Sequence, residues 1–374
     1  MEIMNWYQGH FENRLIGRYI TLDIIKPVLE CLDDSVEVSI AGYSENDREI
    51  PLLKIGTGNK KVLAWSQMHG NESTTTKALF DLLKFLTVSS DYKNQVDEFL
   101  ANHALYILPI LNPDGAFLYT RNNVNDVDLN RDFQQLSQKE SKVLRVVFDR
   151  VKPHLCLNMH DQRTLFGLDN GKPATVSFLS PAADAERTVT PSRQVAMENI
   201  VKMNAFLQQV IPGQVGRFDD SFNPACVGDT FQMEGVPTIL FEAGHFPEDY
   251  AREKTREMIF HALLSLFDFL KINDGFIINW ESYHSTPENR KNFRDIILRN
   301  VKFADKSEAV DIAIQYVEKR KGNGIELEPH IEAFGDLSAL HGHQEIDMES
   351  KIIREKANEM LITGRVIHKI RNIV

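Results

Sequence analysis

Short apolar runs alternate along this chain with longer stretches of helical period. Val62 to Met68, Ala104 to Leu111, Leu155 to His160 and Thr238 to Glu242 read as strands, because a brief, nearly continuous apolar run suits a strand covered on both faces. Between them the spacing predicts helices over residues 18–32, 72–86, about 137–150, 192–210 and 248–270. In the second of these Leu79, Leu82, Leu83 and Leu86 share one face, the mark of an amphipathic helix. Residues 112–135 show no period. Alternation of this kind predicts an α/β fold, a mixed and largely parallel sheet flanked by helices.

From about Gly275 the pattern changes. Ile312 to Lys319, Ile325 to Phe334 and Met360 to Ile370 are shorter, strand-like runs, with the turn-forming Lys321-Gly322-Asn323-Gly324 between the first two. A helix is expected near 289–299. The division this suggests is an α/β domain over 1–272 and a small β-rich C-terminal domain over 273–374, of unknown role. His341 and His343 flank Gly342 without paired cysteines nearby, which reads as an exposed loop and not a second metal site.

Composition narrows the class. The chain has 374 residues, 43% of them apolar and 25% charged, ample for a large globular core. No apolar run approaches the length of a membrane-spanning helix, and the first residues lack the pattern of a secretory signal. The three cysteines, Cys31, Cys156 and Cys226, are too few and too scattered for a disulfide framework. A cytoplasmic location is therefore expected. A formal net charge of −11 disfavours nucleic acid and anionic membranes as partners; oligomeric state is not encoded in any pattern found.

Candidate chemistry gathers where apolar runs end. His69 and Glu72 follow one, His160 closes another and Glu242 a third, so three strands can deliver polar termini to one rim, where ligands of such sheets bind. An imidazole and a carboxylate three positions apart can turn toward one metal ion, with Gly70 easing the turn between them. Further along come Leu111-Asn112-Pro113-Asp114-Gly115, Arg121, Asp128-Leu129-Asn130-Arg131-Asp132-Phe133 and Leu157-Asn158-Met159-His160, then Thr238 to Gly244. Read singly, each has a plainer meaning: a core histidine, a salt-bridged turn at 128–131, or a Glu242 carboxylate paired with an arginine.

Taken in order, this set resembles the zinc carboxypeptidases of the M14 metallopeptidase family over most of residues 36–270, including an upstream hairpin at Gly42 to Gly56. The resemblance implies one zinc ion per chain, held by His69, Glu72 and His160 with a fourth position open. It implies Glu242 as general base, Arg121 as the group that polarises the scissile carbonyl, and Asn130 and Arg131 as the grip on the substrate's terminal carboxylate. Asp128 corresponds to the carboxylate that orients His69, and the turn at Asn112 to Gly115 has no direct chemistry. The implied partner is a peptide or small amide with a free carboxylate.

Two departures bear on specificity. No tyrosine occurs from 161 to 241, where many members of the family carry a mobile one, and Phe222 stands near that place. Asp229 could select a basic terminal residue or merely cap a loop. Related zinc amidohydrolases, the aspartoacylase and desuccinylase group, share the His-Gly-Asn-Glu and Asp-Leu-Asn-Arg elements and a C-terminal β-rich domain, so N-acyl amino acids are an alternative substrate class. Cell-wall peptides are another, and a non-catalytic peptide-binding module a third reading.

Overall fold

The computed structural model describes residues 2–271, 276–303, 308–349 and 352–353. The chain divides into two compact units, one formed by residues 1–162 and 174–289, the other by 163–173 and 290–374. Residues 276–289, expected with the C-terminal domain, group with the first unit, and the short segment 163–173 groups with the second.

The first unit is built on eight strands: β1 (Val36–Tyr43), β2 (Glu49–Ile55), β3 (Lys60–Ser66), β4 (His103–Leu108), β5 (Leu155–Asp161), β6 (Val176–Leu179), β7 (Val215–Arg217) and β8 (Thr238–Ala243). They lie in the order β1-β2-β4-β3-β5-β8-β6-β7. The central four, β4, β3, β5 and β8, are mutually parallel, while β1, β2 and β6 pair antiparallel with a neighbour. The sheet is thus mixed, with a parallel centre whose carboxyl ends share one edge.

Helices α1 (Glu2–His10), α2 (Leu22–Leu29), α3 (Thr74–Val88), α4 (Lys93–Asn102), α5 (Pro113–Leu118), α6 (Lys139–Val151), α7 (Pro191–Val210), α8 (Val227–Met233) and α9 (Glu253–Leu266) complete the unit. Alternate residues of the strands feed two cores. Val62, Ala64, Leu157 and Met159 pack with the apolar faces of α3, α7 and α9; Leu63, Trp65 and Cys156 pack with Leu144 and Phe148 of α6 and Phe231 of α8. This is why the strands lack a period of two in their hydrophobicity: both faces are covered. Among the described residues no helix is long and apolar enough to cross a membrane.

Helix ends differ from the sequence pattern where capping decides. The helix expected over 248–270 begins at Glu253, because Asp249 accepts the backbone N–H groups of Glu253, Lys254 and Thr255 at 2.9, 2.8 and 3.0 Å, satisfying donors that a helix start leaves open. Likewise Thr21 caps α2, which is shorter than the expected 18–32. Residues 113–118, read as a turn within an irregular stretch, form α5 under an Asn112 cap.

The second unit carries β9 (Phe293–Phe303), β10 (Val310–Lys321), β11 (Gly324–Gly335), β12 (His341–Asp347) and β13 (Ile352–Ile353), with β11-β10-β9-β12 as the path and β13 also on β9. The helix expected near 289–299 is instead the central strand β9. Its β-branched Ile296 and Ile297 lie in a run buried by neighbours, where strand packing outweighs any helical spacing. β10 and β11 form the expected hairpin, closed by Gly322 and Asn323 with Gly322 at φ +61°. His341 and His343 are not in a loop: both lie on β12, and the His343 ring stacks on Phe293 at 4.8 Å. The run at 360–370 lies outside the described residues.

Candidate metal centre

β3 ends at Ser66, and the chain then turns sharply. Gln67 adopts φ +44°, a conformation that costs a non-glycine residue energy and needs outside support. Its fully buried amide supplies that support: Nε2 donates to the carbonyls of Ile20 at 2.9 Å and Gly70 at 2.8 Å, and Oε1 accepts from Thr76 Oγ1 at 2.9 Å. Asn112 Nδ2 adds a bond to the Met68 carbonyl at 3.2 Å. Gly70 serves differently from expectation. A Cβ there would lie 2.0 Å from the Gly115 carbonyl carbon, so glycine is required by close approach of two backbones, and the left-handed residue of the turn is Gln67.

This loop presents His69 and Glu72 to His160 on β5. His69 Nδ1 lies 3.0 Å from Glu72 Oε1, His160 Nδ1 lies 2.8 Å from Glu72 Oε2, and the two Nδ1 atoms are 3.0 Å apart. Both imidazoles are 2% exposed and Glu72 is 8% exposed. Two ring nitrogens and a carboxylate directed at one point form the nitrogen and oxygen donor set that zinc takes in catalytic sites with a fourth position free. Among the described residues this is the one group of three or more such side chains able to hold a metal ion. His69 Nε2 sits 2.9 Å from Asp128 Oδ1, a contact that turns Nδ1 toward the shared point. The residues present fit a zinc ion.

Electrostatics follow from enclosure and charge. Burial works to raise the Glu72 carboxyl, but His69 and His160 outweigh it and hold it well below the usual range. For His69, burial opposes protonation while Glu72 and Asp128 favour it and prevail. Burial dominates at His160 and lowers its imidazole to about 4, leaving it in the neutral form a metal requires.

Glu242 on β8 is the cross-strand partner of His160. Its enclosure, with the Glu72 and Asp161 carboxylates nearby, raises it well above an ordinary glutamate. Arg121, half exposed, donates from Nη1 to Glu72 Oε1 at 3.1 Å and from Nε and Nη2 to Asp128 Oδ2 at 3.3 and 3.2 Å. It thereby bridges two of the groups around the shared point. Asn130 and Arg131 follow in a single turn of 3-10 helix in which the Asn130 N–H donates to Asp128 Oδ1 at 3.0 Å. The His69 contact and this turn therefore hang on one carboxylate. Arg131 is exposed, and the Asn130 side-chain oxygen is buried without a hydrogen-bond partner among the described residues.

Some participants were not foreseen. Asp161, buried next to His160, accepts Thr74 N–H at 3.0 Å and Thr74 Oγ1 at 2.6 Å, joining β5 to the start of α3; a charged residue closing the run from Leu155 was its only signal. Gln67 had none. Asp229 accepts the backbone N–H of Asn223 at 3.0 Å, the loop-capping use, and burial raises it to about 6.

Comparison with known proteins agrees with this architecture. Residues 24–146 match the zinc carboxypeptidase family, M14. Carboxypeptidase 2 of Trichophyton rubrum is 26% identical over 132 residues, covering 32% of this chain and 24% of that protein. The carboxypeptidase N catalytic chain of Homo sapiens is 35% identical over 83 residues, covering 19% of this chain and 18% of its own length. The chain thus matches about a quarter or less of these relatives. Carboxypeptidase A from Helicoverpa armigera superposes with a TM-score of 0.52 at 18% identity, over 68% of this chain and 74% of that one. A metallo-carboxypeptidase from Pseudomonas aeruginosa, solved in complex with (2-guanidinoethylmercapto)succinic acid, gives 0.50 at 18% identity, over 66% of each chain. The segment 24–146 thus resembles the zinc carboxypeptidase family, and the fold of the chain is that of the metallocarboxypeptidases it superposes on. The matched segment contains His69, Glu72, Arg121, Asp128, Asn130 and Arg131; His160 and Glu242 lie beyond it and are placed by geometry.

Proposed function

We propose that this protein is a zinc-dependent metallocarboxypeptidase that hydrolyses the C-terminal peptide bond of peptides. The observation that carries the reading is the convergence of His69 Nδ1, the Glu72 carboxylate and His160 Nδ1 within 3.0 Å of one another, with Glu242 on the neighbouring strand. His69, Glu72 and His160 hold one zinc ion, which when bound acts as a Lewis acid for the scissile carbonyl and increases the acidity of water. Glu242 takes the proton of the attacking water on its carboxylate and returns it to the leaving amine. Arg121, anchored beside Glu72, offers positive charge to the oxyanion. Asn130 and Arg131 bind the terminal carboxylate of the substrate, for which a guanidinium provides paired donors, so that one residue is removed from a free C-terminus. With all three cysteines free, the chain suits a reducing, cytoplasmic setting.

A second reading has one observation in its favour. The second unit, whose described strands share a core of Ile296, Leu298, Val301, Ile312 and Ile314, suits the C-terminal β-rich domain that zinc amidohydrolases acting on N-acyl amino acids are expected to carry. One experiment separates the two. Zinc-loaded protein is incubated with a peptide library, free-acid and C-terminally amidated, and with a panel of N-acyl amino acids, followed by mass spectrometry. Loss of single residues from free acids only supports the carboxypeptidase, and cleavage confined to N-acyl amino acids overturns it.

A further inference from the structure

The parallel strands that carry His160 and Glu242 stop being paired just beyond those residues. The last rung of their ladder joins Asp161 to Ala243, after which only the Gln162 N–H still bonds across, to the Ala243 carbonyl at 2.9 Å. On its other side β8 stays tied to β6, with Val176 opposite Ala243 and the Gly244 N–H on the Thr175 carbonyl at 2.8 Å, so the open side is the one facing β5. A gap there would let the two side chains drift against each other, and close placement is what proton transfer needs.

Arg252, the residue that precedes α9, reaches this place. Arg252 as a whole is 1% exposed, and burying so large a cation is costly unless its donors are used. Nη1 donates to the Ala243 carbonyl at 2.8 Å and Nη2 to the Gln162 carbonyl at 3.0 Å. The first carbonyl follows Glu242 by one residue on β8 and the second follows His160 by two, just past the end of β5. A planar fork spans the pair as a single flexible ammonium cannot. The backbone of Arg252 is itself in the left-handed region at φ +61°, a conformation that persists where the surroundings determine it. Those surroundings are the Asp249 cap at the start of α9 and Thr255, whose Oγ1 donates to the Gly244 carbonyl at 3.0 Å. The first turn of α9 is thereby fixed to the exit of β8.

We propose that Arg252 is a positioning residue for hydrolysis, clamping the carboxyl ends of β5 and β8 so that Glu242 stays aligned with the point bounded by His69, Glu72 and His160. It touches no substrate and acts through the backbone carbonyls of Ala243 and Gln162. The assignment rests on the reading of Glu242 as the proton carrier.

The test compares Arg252→Met and Arg252→Lys with the parent protein, using a free-acid peptide that the parent cleaves, together with zinc stoichiometry, thermal melting and amide hydrogen exchange of Gln162. A clamp predicts kcat lower by roughly 10- to 100-fold in Arg252→Met, in line with the cost of small misplacements, with KM and zinc content retained. Arg252→Lys, which can reach one carbonyl at a time, falls between. Gln162 exchanges faster in both variants without a matching loss of zinc. Unchanged kcat in Arg252→Met overturns the proposal. So does a parallel collapse of kcat, KM, zinc content and melting in both variants, which is the pattern of a general folding role. If the parent cleaves no free-acid peptide, the functional reading fails by itself. The exchange rate of Gln162 then still decides whether Arg252 holds the strand ends, and an unchanged rate overturns the clamp.

Discussion

His160 and Glu242 occupy the same rung of the parallel ladder between β5 and β8. Residues so paired send their side chains to the same face of the sheet, with strands about 4.8 Å apart. The residues proposed as metal ligand and proton carrier are therefore built on one rigid element, which fixes their separation better than a loop could. Glu242→Asp withdraws the carboxylate by about 1.5 Å, one carbon–carbon bond. The expected result is a fall in kcat of about 100-fold, zinc content unchanged, measured on a free-acid peptide.

Asp128 serves two masters, orienting His69 at 2.9 Å and capping the Asn130 turn at 3.0 Å. Asp128→Asn keeps the shape and one acceptor oxygen but removes the charge that favours the metal-binding tautomer of His69. Zinc affinity, read by competition with a chromophoric chelator, should drop by about 10- to 100-fold.

Arg131 is exposed on the turn after Asp128, free to meet a substrate carboxylate. Arg131→Ala should raise KM for free-acid peptides by about 10- to 100-fold, the equivalent of losing a charge-assisted hydrogen bond, with kcat little changed. Steady-state kinetics showing no change in KM would remove the grip of Arg131 on the terminal carboxylate from the account.

Acid sensitivity has a source far from the site. His261 on α9 is fully buried beside Tyr7, Phe206 and Phe260, and its ring nitrogens have no hydrogen-bond partner among the described residues. Burial, helped by the charge of Lys254, lowers it from 6.5 to about 3. The unfolded chain then binds the proton more readily than the folded one between these values. Stability is lost as pH falls below 6.5, by about 2 kcal/mol at pH 5 from this residue. Urea midpoints at pH 7 and pH 5 should show that loss in the parent and a smaller one in His261→Phe.

The sequence pattern captured the parts of the molecule that hydrophobic burial dictates. The central strands β3, β4, β5 and β8 are legible because burial on both faces demands continuous apolar runs, and His69, His160 and Glu242 stand out as polar residues ending such runs. Where local hydrogen bonding decides, the pattern is silent. Nothing about Gln67 announces that it takes a left-handed conformation and ties down Gly70, and Arg252 looks like any surface arginine ahead of a helix. The expected helix at β9 fails because pairing decides that segment, with β10 next along the chain on one side and β12, two strands further on, at the other.

The most direct test of the account is elemental analysis of zinc together with turnover of a free-acid peptide for the parent, His69→Ala and Glu242→Gln proteins. One zinc in the parent and in Glu242→Gln, none retained in His69→Ala, and turnover in the parent alone is the predicted result. Full zinc in His69→Ala, or undiminished turnover in Glu242→Gln, would contradict it.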